Sequence, residues 1–243
     1  MLTLRANGQT VAEGLDQALD GIDSAALLIT DVPGDLAYVL PDRSRTADHG
    51  AFYSAPRLRP LAQIQRAGFI WGQRDGRGFS HCHGLWDGTM GHLLAERCRL
   101  TRDCQARVLV ITGARFESVP DVETGFHLFT PVATAETVDP DTALVRLAPH
   151  VDLCEGVAEA ADSLGWASAR VAGLGSLNAP GFQDGKRLDS HATEFLIRQG
   201  ELRAGSARIE LDIVGIGGVM AAGVVLPGAA PVCVTAELIL RRQ

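Results

Sequence analysis

Apolar residues at helical or alternating spacing divide the chain into two runs of similar order. The first run opens with Leu15, Ala18, Leu19 and Ile22, whose spacing predicts a short amphipathic helix over 12–21. The strands that follow are predicted over 24–40, with a turn at 33–35, and then over 62–71, 79–85 and 107–112. Residues 41–60, rich in Arg, Ser, Asp, Gly and Pro, predict a long surface excursion.

The second run repeats this order. A helix is predicted over 155–164, and strands over 168–174, 193–197, 207–212 and 232–240. A repeated order of this kind indicates an internal duplication. We therefore expect an α+β fold with two similar domains over 1–129 and 142–243, joined by a linker over 130–141. Each domain is expected to hold an antiparallel or mixed β-sheet with one packed α-helix.

Composition and charge limit which binding partners and which cellular compartment we expect for this chain. The chain has 243 residues, a net charge of −7 and a pI near 5.5, so it has no overall attraction for DNA or for an anionic membrane. Five scattered cysteines and an N-terminus without secretory features indicate the cytoplasm. The uncharged run over 213–236 is rich in Gly and Pro, which favours buried strands over a membrane span.

Several short motifs resemble the plant and prokaryote conserved (PPC) domain family. In the first half these are Asp75-Gly76-Arg77, His81-Cys82-His83 and Gly91-His92-Leu93-Leu94; in the second half, an Arg146-Leu147 start precedes a helix and the strand with Gly173-Leu174-Gly175. The resemblance implies a compact antiparallel sheet domain with one helix, assembled as a trimer and described as DNA-binding. The Arg-Gly-Arg-Pro core of the AT-hook in plant relatives does not occur in this sequence.

The histidines of the first half predict a metal site. His81 and His83 are two apart in a predicted strand, so they leave the same face about 7 Å apart. A hairpin can bring His92 beside them, and three neutral imidazoles suit a divalent metal, for which we expect zinc over iron, nickel or copper. Such a site leaves one coordination position open. The alternative is a structural histidine cluster without metal.

Other candidate groups are less clearly defined by spacing. Candidates for a fourth ligand or a hydrogen-bond partner of the histidines are Asp75, Glu117, Glu123 and His127. A possible anion-binding set of arginines comprises Arg43, Arg45, Arg57, Arg59 and Arg66, with Asp48 the acid between them. A solvated loop is the other interpretation of this arginine set.

Counting back from Gly218 places Arg208, Glu210 and Val219 where the first half has His81, His83 and His92. The second half is therefore expected to act as scaffold and interface in a homo-oligomer, for which the family resemblance implies a trimer. Two functions remain open. One is a metal-binding, oligomeric protein that is regulatory or DNA-associated. The other is a small-molecule metalloenzyme that uses the open metal position.

Overall fold

The computed structural model describes residues 1–46, 49, 51–135 and 139–243. Its elements in chain order are β1 (Leu2–Leu4), α1 (Val11–Ala18), β2 (Ser24–Val39), β3 (Pro41–Asp42), β4 (Phe52–Tyr53), β5 (Arg57–Arg74), β6 (Arg77–Trp86), β7 (Thr89–Leu93), β8 (Arg99–Leu100), β9 (Cys104–Ile111), β10 (Ala114–Pro120), β11 (His127–Ala133), β12 (Thr142–Leu147), α2 (Leu153–Ser163), β13 (Ser168–Leu177), β14 (Thr193–Arg203), β15 (Ser206–Gly215), β16 (Met220–Val224) and β17 (Val232–Arg242). The α+β class is confirmed, with far more strand than helix.

Each half contributes its own sheet. In the first half the ladder runs β1-β9-β2-β5-β6-β7, and β7 pairs back with the end of β2, so that four strands form a closed ring of neighbours. In the second half the order is β12-β17-β13-β14-β15-β16. These two strand orders correspond element by element. The first sheet also carries β10, parallel to β5, and β11, which have no counterpart in the second half.

The two helices begin at side-chain caps that the local sequence supplies. Thr10 and Glu13 form a reciprocal capping box at the start of α1. At α2, the Asp152 carboxylate accepts from the backbone N–H of Cys154 and Glu155, and its second oxygen accepts from Ala230. Each helix covers one apolar cluster within its own half.

A third apolar cluster joins the two halves. It combines Ile70, Met90 and Phe116 of the first half with Leu196 and Val214 of the second, among others. One close approach is at Gly68, where a Cβ atom would lie 2.5 Å from the Leu196 Cδ1 atom. A larger residue at this point of β5 would have to displace the Leu196 side chain, and the two sheets meet here next to the strand that carries the histidines.

Several boundaries differ from the sequence prediction. The turn predicted at 33–35 is wrong, because β2 continues through it with a register shift between Gly34 and Leu36. Such an irregularity bends a strand without reversing it. The excursion over 41–60 contains the short β3–β4 pair and the start of β5, and its residues 47, 48 and 50 lie outside the described part, as does Asp48 of the arginine set.

The predicted linker over 130–141 overlaps the end of β11, and residues 136–138 lie outside the described part. The uncharged run over 213–236 ends β15, forms β16 and begins β17; its two ends are buried, and Val219 and Leu226 in its middle are exposed. Across the described residues, no helix is long and apolar enough to cross a membrane.

Candidate metal centre

The β6–β7 hairpin brings the three predicted histidines together. His81 and His83 lie on one face of β6, and His83 pairs directly with His92 across the hairpin. The turn between the strands uses Asp87 and Gly88, both with positive φ, as a two-residue hairpin turn requires. The ring centroids of His81, His83 and His92 lie 4.7 to 5.3 Å apart. That these rings bind a metal stays a prediction.

A carboxylate from the other half completes the group. Glu194, on β14, places its Oε2 atom 2.5 Å from the Nε2 atom of His83. The three histidines and Glu194 each offer one potential ligand atom, and these four atoms lie within 4.8 Å of one another. Three nitrogens and one carboxylate oxygen form a donor set that suits zinc.

Each histidine is held by a hydrogen bond at its Nδ1 atom. The Nδ1 of His81 lies 2.6 Å from the Glu237 carboxylate, and that of His83 lies 2.7 Å from the carbonyl oxygen of Phe195. The Tyr53 hydroxyl lies 3.2 Å from the Nδ1 of His92. The obligate acceptors at the Nδ1 atoms of His81 and His83 select the tautomer in which Nε2 carries the free lone pair, whereas the Tyr53 hydroxyl can donate to His92 or accept from it.

The free nitrogens converge. The Nε2 atoms of His81 and His83 are 3.1 Å apart, and the Glu194 carboxylate reaches the same point. Two lone pairs and a carboxylate that face one another repel. A proton or a metal cation between these atoms would remove the repulsion.

Burial and neighbouring charges shift the pKa values of His81, His92 and Tyr53 in different directions. Burial opposes charge on His81, but the neighbouring Glu237 carboxylate outweighs it and raises the pKa of His81. Burial, together with the nearness of His81 and His83, holds the pKa of His92 well below its usual value. Burial and the Glu194 carboxylate raise the pKa of Tyr53, which therefore stays a neutral phenol.

The fourth potential ligand, Glu194, lies at a position that the sequence did not indicate. Of the four candidates for that role, Glu117 is paired with Arg115, and Asp75 occupies the β5–β6 turn. Neither belongs to the group of potential ligands, nor do Glu123 and His127. Glu194 and Glu237 lie in the second half, far along the chain, and no motif around them marks a ligand.

The five arginines do not form one free basic surface. Arg45 pairs with Asp42, Arg59 with Asp87, and Arg66 with Asp212 of the second half. Arg57 is exposed on β5, and the backbone N–H of Arg43 donates to Asp42. Anion binding by this set stays a prediction, with three of its members already next to carboxylates.

The positions in the second half that correspond to the histidines are not those predicted. The β5–β6 turn ends at Gly76, and the β14–β15 turn ends at Gly205. When residues are counted forward from these two glycines, His81 corresponds to Glu210 and His83 corresponds to Asp212. Across the next hairpin, Ala222 pairs with Asp212 as His92 pairs with His83. Counting from Gly218 was wrong because the β15–β16 connection is longer than the β6–β7 turn.

Charged residues occupy this second position, which we call the counterpart cluster: Glu210, Asp212, Arg198 and Arg66. Arg198 is the extra residue at a β14 irregularity and pairs with both Glu210 and Asp212. Arg66 reaches Asp212 from the first half. Arg66 also corresponds in position to Glu194. Gly68 pairs with His83 and Leu196 pairs with Asp212; Arg66 lies two residues before Gly68, and Glu194 lies two residues before Leu196.

A cavity of about 140 Å³ opens beside the histidines. His81, His92, Glu194 and Glu237 line it, while fully buried His83 lies behind them. The β3–β4 pair covers one side with Phe52 and Tyr53. A metal ion held by the histidines would therefore have its accessible side toward this cavity.

Comparison with known proteins gives matches among solved structures alone. No protein-family model and no curated protein matches the chain. A metal-containing protein from Archaeoglobus fulgidus matches at 20% identity and a TM-score of 0.43, covering 54% of this chain and 91% of its own. A protein named "Putative DNA-binding protein" from Ralstonia eutropha JMP134 matches at 19% identity and a TM-score of 0.40, covering 53% and 88%.

A PPC protein from Pyrococcus horikoshii matches at 14% identity and a TM-score of 0.35, covering 42% of this chain and 78% of its own. PPC proteins are thus among the solved structures that this chain resembles, as its motifs indicated. Each of these matches spans about half of the present chain.

Proposed function

We propose that this PPC-like chain binds one divalent metal ion, zinc in the first place, through His81, His83, His92 and Glu194. The strongest support is that the Nε2 atoms of His81 and His83 lie 3.1 Å apart, next to the carboxylate of Glu194. All three Nδ1 atoms are engaged elsewhere, so a bound cation would find the nitrogen lone pairs already oriented. The centre is built from both halves of the chain.

We further propose that the metal serves to bind a small molecule in the adjoining cavity. When bound, a divalent ion supplies a Lewis acid that polarises an oxygen ligand. Around it, Glu237 orients His81, Tyr53 covers His92, and the aromatic side chains of the cavity exclude water. We place this role ahead of DNA association because the arginine set is largely paired and the net charge is −7. DNA association and a regulatory role stay predictions.

X-ray absorption spectroscopy of zinc-loaded protein tests the centre. We expect three imidazole nitrogens and one oxygen around each zinc ion, and loss of zinc in His83→Ala. His191→Ala is the matched control, because His191 is exposed and lies outside the group. Sulfur among the zinc ligands, or retention of zinc by His83→Ala, would contradict the proposal.

We propose that the two halves are diverged copies of one domain. The matching strand orders support this, as does the interface cluster, where Met90 and Met220 occupy corresponding positions opposite Leu85 and Val214. An experimental structure tests it by superposition: the β5–β6 hairpin should fall on β14–β15. Superposition in a different register would reject the duplication.

Self-association, with a trimer as the resemblance implies, is also a proposal. The two ends of the uncharged run are buried inside the chain, whereas Val219 and Leu226 in its middle are exposed. Exposed Leu58 and Leu61 at the start of β5 are apolar residues that another copy could cover. Light scattering at micromolar concentration decides it: we expect a multiple of 25.8 kDa, and a mass of 25.8 kDa would contradict it.

A further inference from the structure

The lining of the cavity beside the metal centre includes an aromatic part, which we call the aromatic wall. It contains Phe52, Phe79, Phe126 and Phe129. The rings of Phe79 and Phe129 meet edge to face with centroids 5.7 Å apart. Edge-to-face aromatic pairs leave ring surfaces available for a further apolar group. This wall suits the body of an apolar, ring-sized ligand.

The charges around the cavity are already balanced without a charged ligand. Glu194 and Glu237 face it, and their two carboxylates match the charge of one divalent ion. No lysine or arginine is found among the described residues that line it. An anionic ligand such as a phosphate ester would bring unpaired negative charge into an enclosed site, which is unfavourable. A neutral ligand is therefore favoured.

The cavity lining also contains a hydroxyl group without a hydrogen-bond partner among the described residues. It is the Oγ1 hydroxyl of Thr235, a residue that is 4% exposed. Buried hydroxyls are normally paired. Thr235 and Glu237 are two residues apart on β17, so their backbones lie no more than about 7 Å apart. Because Glu237 contacts His81, Thr235 lies two residues along the strand from a side chain that borders the metal centre.

We propose that the cavity takes a neutral small molecule with an apolar ring-sized body and an oxygen at each end. One oxygen meets the metal, and the other meets the Thr235 hydroxyl. This inference rests on the metal centre proposed above and adds the class of ligand. It excludes phosphorylated and carboxylate metabolites as the preferred occupants.

The test uses three probes of one ring size on zinc-loaded full-length protein, with zinc content measured on the same preparation. In mildly acidic buffer, below the pKa of its phenol, 4-hydroxybenzaldehyde is neutral with oxygens at both ends; benzaldehyde lacks the second oxygen, and phenyl phosphate carries negative charge. By calorimetry we expect 4-hydroxybenzaldehyde to bind about tenfold more tightly than benzaldehyde. We expect phenyl phosphate to bind at least about tenfold more weakly than 4-hydroxybenzaldehyde.

Thr235→Val preserves side-chain shape and removes the hydroxyl, so it should abolish the preference for 4-hydroxybenzaldehyde over benzaldehyde. Thr130→Val, on β11 outside the cavity lining, should leave that preference unchanged. Equal or tighter binding of phenyl phosphate, no binding of the neutral probes, or a preference that survives Thr235→Val would overturn the inference. Protein that fails to load zinc would instead contradict the metal centre itself.

Discussion

The histidine centre and the counterpart cluster occupy corresponding positions of two similar hairpins but differ in how their charges are balanced. The centre gathers lone pairs and carboxylates with no cationic side chain among them. In the counterpart cluster, Arg66 and Arg198 supply cations to Asp212 and Glu210. An added cation would balance the charge of the first position, whereas the second position balances itself. Similar hairpins can therefore carry a group of potential ligands at one position and a closed set of ion pairs at the other.

Removing the buried carboxylate of the counterpart cluster should have the largest effect. Asp212 is 3% exposed, and Asp212→Asn leaves the partly enclosed Arg66 guanidinium without its partner. We expect the free energy of unfolding to fall by about 3 kcal/mol in chemical denaturation. Glu201→Gln, which breaks a pair with the exposed Arg203, should cost less than about 1 kcal/mol. Equal losses in the two variants would show that the counterpart cluster is not a buried ion pair.

The metal should stabilise the chain through the histidine centre alone. At a zinc concentration about a hundred times the Kd, binding adds about 2.7 kcal/mol to the free energy of unfolding. His83→Ala should lose this gain, whereas Asp212→Asn should keep it despite its lower starting stability. Thermal unfolding with zinc and with a chelator measures both. A gain of the same size in His83→Ala would place the ion elsewhere.

Glu237 and its neighbours provide a finer comparison. Glu237→Gln removes the carboxylate that orients His81, so zinc should still bind with an affinity about 10 to 100 times lower. Glu210→Gln, at the position that corresponds to His81, should leave zinc affinity unchanged. Competition with a chromophoric chelator gives both constants. If the two variants weaken zinc binding alike, the assigned roles of the two positions are wrong.

The smallest expected effect concerns the helix caps. The backbone N–H and hydroxyl of Thr10 lower the pKa of Glu13 at α1. The stability from this group is present above its unfolded pKa, near 4.5, and is lost as pH falls through the lowered folded value. Glu13→Gln should therefore destabilise metal-free protein slightly at neutral pH and cease to do so in acid. Glu159→Gln, exposed on α2, is the control, and a deficit that persists in acid would contradict the argument.

Local sequence patterns predict those parts of the site that depend on local geometry. The alternation of a strand and a short hairpin turn are enough to bring His81, His83 and His92 together. The roles of Glu194 and Glu237 depend on how the second sheet packs on the first, through Gly68 and Leu196, and no local pattern encodes that packing. The strand through 33–35 was missed because proline and glycine mark a bulge as readily as a turn.

The most direct test of the account is the number of zinc ions per chain. When the metal-free protein is titrated with zinc, we predict one ion per chain in the wild type, none in His83→Ala, and one in Asp212→Asn. Two ions in the wild type, or the same count in His83→Ala as in the wild type, would contradict the claim that a single centre is built where the two halves meet.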